Sequence, residues 1–381
     1  MGIAGWAQKL TLLRWLAAVR GERAVPAQVA DILRLRFGPG RLGASEYFKF
    51  GLFDRRLSMA DKRRFAGWRK EGRLDRALNP ASWLGVTTDK LNQYAIFQGL
   101  GIPVPEIFAV YHPGGRYFGE VPSVVGEDAL ARFLRDEMPY PFFSKPAHGS
   151  FGRGTYAVRG FDAASGCLEL ASGAWLPVAE FIAQCRPRPG VYPWESGYLF
   201  QELIEPHPEL VGLCGPRLSS VRMIVLQGDG GPRLFRAIWK ITTGANVADN
   251  FEHGTKGNLL GTLDPDSGEV ERVIGGPGPG VREVAAHPDT GVPFAGFRVP
   301  EWQRFRQLCL QAATAFPALR MQHWDIAIGA RGPVVLEVNI GGDLDLPQLA
   351  AGEGVLGPEL AAFVADLGRT YPGIPAGLDR I

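Results

Sequence analysis

With 381 residues the chain is long enough for two or three compact units, and a 46% hydrophobic content fills more than one core. No uninterrupted apolar run reaches the roughly 18 residues of a membrane-spanning helix, and Met1 to Gly21 carries Lys9, Arg14 and Arg20 without a small-residue cleavage signal. A soluble globular protein with neither membrane span nor secretory leader is therefore expected. The net charge of +2 conceals a basic front, because residues 1–78 hold 17 Lys and Arg against 7 Asp and Glu. Cys167, Cys185, Cys214 and Cys309 lack CxxC pairing, which speaks against a zinc site or disulfide framework and for buried thiols in a reducing compartment such as the cytoplasm.

Helical patterns occupy residues 3–20, 26–36 and 59–78. In the first, Ile3, Trp6, Leu10, Leu13 and Ala17 recur at helical spacing with Lys9, Arg14 and Arg20 at the edges. That stripe suits a helix packed on its own protein, the favoured reading, or one lying on an anionic membrane surface. No nucleic-acid recognition motif accompanies the charge. In the third pattern Lys62-Arg63-Arg64 and Arg69-Lys70 read as a solvated face. Asn79-Pro80 breaks the chain, and a helix capped by Thr88 or Asp89 runs to Gly99. A strand follows at Ile107–Tyr111, then a helix from Gly126 to Met138, a strand at Phe142–Lys145, a glycine-rich loop and a strand at Thr155–Val158. Further strands are expected at Tyr198–Leu203, Ser220–Leu226 and Leu234–Lys240, with helices over 300–316 and 357–370. The alternation signals α/β architecture behind a helical front.

Two stretches carry chemistry. Asp325 opens the apolar run to Ile328, and a second run, Val334 to Leu336, ends at Glu337-Val338-Asn339, with Gly329 to Pro333 between them. As a strand pair, this brings Asp325 near Glu337 and Asn339, whose oxygens suit a hard cation such as Mg²⁺ or merely end an ordinary hairpin. The second stretch is Ser144-Lys145-Pro146-Ala147-His148-Gly149-Ser150-Phe151-Gly152-Arg153-Gly154. A strand-end lysine and glycines at 149, 152 and 154 supply a positive charge and backbone N–H groups that approach phosphates closely, or form a plain hairpin loop. It is neither a P-loop nor a Rossmann turn, since the Gly-Lys-Ser/Thr ending is absent and a strand follows.

Together with Thr88-Asp89-Lys90, Gly101-Ile102-Pro103-Val104-Pro105 and Phe200-Gln201-Glu202-Leu203-Ile204, these stretches resemble the ATP-grasp superfamily in order and spacing over about residues 85–350. Glu46-Tyr47-Phe48 and Asp249-Asn250-Phe251 look like its sugar-transfer-associated branch. The resemblance implies an α/β (α+β) ATP-grasp fold of two lobes, each with a mixed or antiparallel sheet, that clamp ATP. Its units would be a basic helical region over 1–80, an N-terminal lobe with the lid loop over 81–200, and a C-terminal lobe with the metal site over 201–381.

The resemblance further implies that Lys90 and Lys145 contact the nucleotide phosphates while the loop His148, Gly149, Ser150, Gly152, Gly154 closes over them. Gln201, Glu202, Leu203 and Ile204 would read adenine, and Glu209 the ribose. Asp325, Glu337 and Asn339 would hold Mg²⁺, with Mn²⁺ as the alternative ion. Arg222 and Lys240 would neutralise the transferred phosphoryl group, or be solvated strand-end charges. The polar run from Thr242 to Gly261, with Asn246, Asp249, Asn250, His253, Lys256 and Asn258, suits a substrate loop. One departure stands out: D-alanyl-D-alanine ligases and several relatives have an arginine two residues before the first metal aspartate, where this chain has His323. That role falls to His323, passes to Arg222, Lys240 or Arg320, or goes with a different intermediate.

The implied activity is ATP- and Mg²⁺-dependent amide formation between a small-molecule carboxylate and an amine through an acyl phosphate, in a surface-glycan or secondary-metabolite setting. A kinase on the same scaffold, with Asp249 or Asp343 as base, is the alternative within enzymes. A membrane-docked nucleotide-binding scaffold is the alternative outside them.

Overall fold

The computed structural model describes residues 3–149, 152–186 and 196–371, with side chains from residue 9 onward; Ser150 and the side chains of Ile3 and Trp6 lie outside the described residues. Two seven-stranded sheets form the α/β body. The first comprises β1 (Ile107–Tyr111), β2 (Ser123–Val124), β3 (Phe142–Pro146), β4 (Tyr156–Asp162), β5 (Cys167–Leu170), β6 (Trp175–Pro177) and β7 (Tyr198–Glu202), in the order β2-β1-β7-β3-β4-β5-β6. Only the β1–β2 pair is parallel. The second comprises β8 (Ser220–Gly228), β9 (Gly231–Ile241), β10 (Leu259–Leu263), β11 (Val270–Gly275), β12 (Arg282–Glu283), β13 (Met321–Gly329) and β14 (Gly332–Asn339). Its order is β12-β11-β10-β9-β8-β13-β14, antiparallel throughout.

Strand β13 is buried along its whole length, because it lies inside the sheet with both faces covered. Its even-numbered residues meet the helix Trp302–Ala313: Trp324, Ile326 and Ile328 enter the core there, and Gln322 Nε2 donates to the carbonyls of Ala313, Phe316 and Leu319 at the helix end and in the turns after it. The other face is covered at one end by the N-terminal helices together with the helices Asp345–Ala351 and Pro358–Thr370. Tyr47, Phe48, Phe65, Leu74 and Leu78 share a core with Ile224, Leu226, Ile238, Leu260 and Met321 of the sheet. At the other end of this face, nearer the first sheet, lie Asp325, Arg222 and Lys240.

The helix Lys90–Gly99 ties the two sheets together. Lys90 N donates to Ala147 O at the end of β3, and Gln93 Oε1 accepts from Val338 N of β14. Asp89 caps this helix by accepting from Leu91 N and Asn92 N, as its position before the first turn predicts.

The front departs from the sequence reading in two places. Residues 59–78 form two helices, Met59–Arg63 and Trp68–Leu78, because Phe65 and Ala66 between them are buried and both backbone groups of Ala66 bond the Gln348 amide, at 2.6 and 3.0 Å. Lys62 and Lys70 are buried rather than solvated; Lys62 Nζ lies 3.2 Å from buried Asp31. In the first helix, Ile3–Ala18, the inward residues are Leu12, Trp15 and Leu16, with Val19 just beyond. Leu10, Leu13 and Ala17, the stripe picked out by spacing, face outward. Among the described residues no helix is long and apolar enough to cross a membrane. The four cysteines are free thiols, three of them buried and Cys167 partly exposed.

Candidate functional site

The strand pair β13–β14 sets the floor. Asp325 lies opposite Glu337 and His323 opposite Asn339, with a register shift just after Asp325. Asn339 Nδ2 donates to Glu337 Oε1 at 2.9 Å. On the other side of β13, Arg222 of β8 is in register with Asp325 and grips it with two hydrogen bonds, Nε to Oδ1 at 2.8 Å and Nη2 to Oδ2 at 2.7 Å. Lys240 Nζ is 3.2 Å from Asp325 and 3.3 Å from Asp249. Burial works to raise the Asp325 pKa, but Arg222 and Lys240 outweigh it and hold the carboxyl well below the usual range. Burial likewise works against charge on Lys240, and Asp249 with Asp325 turns the net shift upward.

A second set of groups faces this floor. Lys90, at the start of its helix, places Nζ 3.1 Å from Glu337 Oε2 and 3.0 Å from Gly149 O. Burial works to raise the Glu337 pKa, but Lys90, the Asn339 hydrogen bond and Lys145 together outweigh it and lower it. Lys145 Nζ donates to Tyr94 OH at 2.8 Å, and Tyr94 OH donates to Leu336 O at 2.9 Å. Buried, and beside the Lys90 charge, Lys145 is pushed down to about 7. Gly152 in the lid loop adopts φ +63°, and a Cβ there would come 2.7 Å from Asn250 Nδ2. The lid therefore rests on the 242–258 loop through a position that only glycine fills without strain.

Between these walls runs a cleft that is open to solvent. Lys90, Lys145, Gly149, Gly152, Lys240, Asp249, Asn250, Asp325 and Glu337 line its polar end. Gln201, Glu202, Leu203 and Ile204 line it where β7 leaves the first sheet. Gln201 Oε1 is buried there without a partner, and Glu202 accepts from Glu106 N and pairs with Arg331. Phe143, Leu218 and Leu336 supply apolar walls that no motif in the sequence announces.

Other expected site residues lie elsewhere. His323 is fully buried with neither ring nitrogen partnered, and a Cβ on Gly342 would meet its ring at 2.3 Å. Burial, then the Arg222 charge, pushes it down to about 3, so it is neutral. Glu209 is exposed on the first turn of the helix Pro208–Cys214 and is absent from the cleft lining. Asn246 and Asn258 brace their own loop: Asn246 Nδ2 donates to Asn258 Oδ1 at 2.8 Å, and Asn258 Nδ2 to the carbonyls of Ala248 and Asn250. Lys256 pairs with Glu252, one turn earlier. His253 is exposed, with a left-handed backbone, φ 57°. Asp343 belongs to a separate group with Glu71 and Asp345, their oxygens within 4.8 Å of one another.

Asp325, Glu337 and the carbonyl of Asn339 present hard oxygen donors on one patch of sheet, a set that fits Mg²⁺. Two sheets closing on such a patch, with a lysine-bearing strand and a glycine lid opposite, define an ATP-grasp fold. Residues 69–363 match the family described as sugar-transfer associated ATP-grasp, and the chain belongs to it. No curated protein is a significant match.

Solved structures similar to this chain include the biotin carboxylase domain of Hydrogenobacter thermophilus 2-oxoglutarate carboxylase (13% identity, 71% of this chain and 47% of that one, TM-score 0.37). Another is N5-carboxyaminoimidazole ribonucleotide synthetase from Thermotoga maritima (11%, 73% and 49%, TM-score 0.35). A third is an L-amino acid ligase from Bacillus licheniformis (13%, 71% and 48%, TM-score 0.36). The chain spans about half the length of these relatives.

Proposed function

We propose that this protein is an ATP- and Mg²⁺-dependent ligase that activates a carboxylate as an acyl phosphate and joins it to an amine. The observation that carries the reading is the clustering of Asp325 and Glu337 with Lys90 and Lys240 at one end of a cleft whose other end is an apolar hinge, Asp325 being gripped in turn by Arg222. Lys90 and Lys145 would meet the phosphates, and the 148–154 loop would cover them. The backbone from Gln201 to Ile204, with the unpartnered Gln201 amide oxygen, would read the adenine edge. Asp325, Glu337 and Asn339 would hold Mg²⁺, which when bound neutralises phosphate charge. Glu209, outside the cleft lining, is not assigned the ribose, and His323, buried and neutral, is not assigned a contact with the reacting groups.

In the reaction a carboxylate oxygen attacks the γ-phosphorus, the bond to the β–γ bridging oxygen breaks, and ADP leaves. The amine then attacks the acyl carbon, phosphate departs and the amine proton passes to solvent. Lys240, held between Asp249 and Asp325, supplies positive charge where the phosphoryl group moves. No protein nucleophile is needed. The second reading, a kinase, is favoured by Asp249, which lines the cleft beside Lys240 and would serve as base toward a hydroxyl. Incubation with ATP, Mg²⁺, hydroxylamine and a panel of carboxylates, beginning with sugar acids, separates the two. The expected result is a hydroxamate with stoichiometric ADP. A phosphorylated alcohol and no hydroxamate would replace the ligase with the kinase.

A further inference from the structure

Of the apolar stripe that spacing singles out on the first helix, the described residues Leu10, Leu13 and Ala17 are left outside by the fold. Leu10 and Leu13 are 52% and 62% exposed, although Leu12, Trp15 and Leu16 already fill the inward face. The second helix, Val25–Arg36, repeats the arrangement. Val25, Val29 and Leu33 recur every four residues and Phe37 follows in the same step, with exposures of 41%, 44%, 55% and 86%. Steps of four advance only about 40° around a helix, so these side chains form one continuous ridge. The opposite side of this helix is sealed by Gln28, Asp31 and Leu35, each at most 1% exposed. Gln28 Nε2 donates to Leu16 O at 3.4 Å, so both helices belong to one layer.

The charge around these stripes has one sign. Between residues 9 and 41 the chain carries seven Lys and Arg against Glu22 and Asp31, and Asp31 is buried between Arg23 and Lys62. Lys9, Arg14, Arg20, Arg34 and Arg41 are exposed. We propose that the outer face of the first two helices docks the protein peripherally on an anionic lipid surface, the ridge entering the acyl boundary and the basic side chains meeting headgroup phosphates. Charge selects this occupant over a second copy of the chain, since self-association would bring two basic faces together.

Flotation of the full-length protein with phosphatidylcholine vesicles, with and without phosphatidylglycerol, tests the proposal. At low salt, partition onto the anionic vesicles should exceed that onto neutral ones by about tenfold or more and decline as salt screens the charges. The double variant Leu33→Gln, Phe37→Gln should lose about tenfold in partition while keeping its thermal midpoint and ATP binding, because both side chains are exposed. Arg34→Glu with Arg36→Glu should remove the preference for anionic vesicles independently. Equal partition onto both vesicle types, or partition unchanged in both variants, would overturn the proposal. A concentration-dependent dimer that the first variant abolishes, without vesicle binding by either form, would overturn it in favour of self-association.

Discussion

Lys145 shows how a single residue is legible in part. A lysine closing an apolar strand before a glycine loop is a candidate phosphate contact, but nothing local announces that its Nζ is bound to Tyr94 OH, 51 positions earlier. Burial, and then the Lys90 charge, bring Lys145 down to about 7 from 10.5. The unfolded chain therefore holds this proton where the folded protein does not, and the linked contribution to stability rises with pH between about 7 and 10.5. Phosphate binding requires the charged form. Nucleotide binding above pH 7 should thus take up close to one proton, and affinity should fall by up to about tenfold per pH unit. Calorimetry in buffers of different ionisation enthalpy measures the uptake. Lys145→Met should abolish it and weaken ATP binding by about ten- to a hundredfold; uptake persisting in the variant would place the proton elsewhere. Arg222 and Lys240 teach the same lesson. Each reads in sequence as a charge toward the phosphoryl group or as a solvated strand end, and only the antiparallel register of β8, β9 and β13 puts both on Asp325.

At the scale of elements, strands and helices with a strong period are the ones whose positions the chain declares. Ile107–Tyr111 and the hairpin of β13 and β14 lie where apolar runs and turn residues place them. The helix expected over 59–78 fails at Phe65-Ala66, where burial and two bonds to Gln348, 282 positions away, outweigh helical continuation. The lid loop is an element whose glycines could be counted but whose resting place could not. Gly152 at φ +63° touches Asn250, so Gly152→Val imposes a left-handed backbone strain of about 1–2 kcal/mol on a branched residue and pushes the lid off its seat. ATP turnover should drop at least about tenfold with a raised KM for ATP, while the thermal midpoint moves by only a few degrees. Steady-state kinetics beside a melting curve check both, and unchanged kinetics would remove the lid from catalysis.

For the whole molecule, the basic front is part of the fold and not an appendage. Ile224, Leu226, Phe235, Ile238, Leu260, Ile274 and Met321 of the second sheet are each at most 1% exposed, in a core shared by the N-terminal helices and the helices Asp345–Ala351 and Pro358–Thr370. Removing the N-terminal share of this core, with Tyr47, Phe48, Phe65, Leu74 and Leu78, uncovers part of that apolar face at a cost that is a large fraction of the stability of a domain. A chain starting at residue 81 should aggregate or bind hydrophobic dyes; a monodisperse, cooperatively melting product in light scattering and calorimetry would contradict this. The front also steadies the site, since Asp75 accepts from Gly341 N and Glu71 from Leu344 N in the loop that follows β14. By itself the sequence determined the alternation of elements, the glycine loop, the Asp89 cap and the strand pair carrying Asp325 and Glu337. Each of these is written in spacings of a few residues, over which backbone geometry is nearly fixed. Tertiary structure alone decided which stripe of the first helix is buried, that Lys62 and Lys70 are interior, that His323 is sealed behind Gly342, and that Arg222 and Lys240 converge on one carboxylate. Those outcomes depend on contacts between segments far apart in the chain, where burial and charge pairing act without any local period to reveal them.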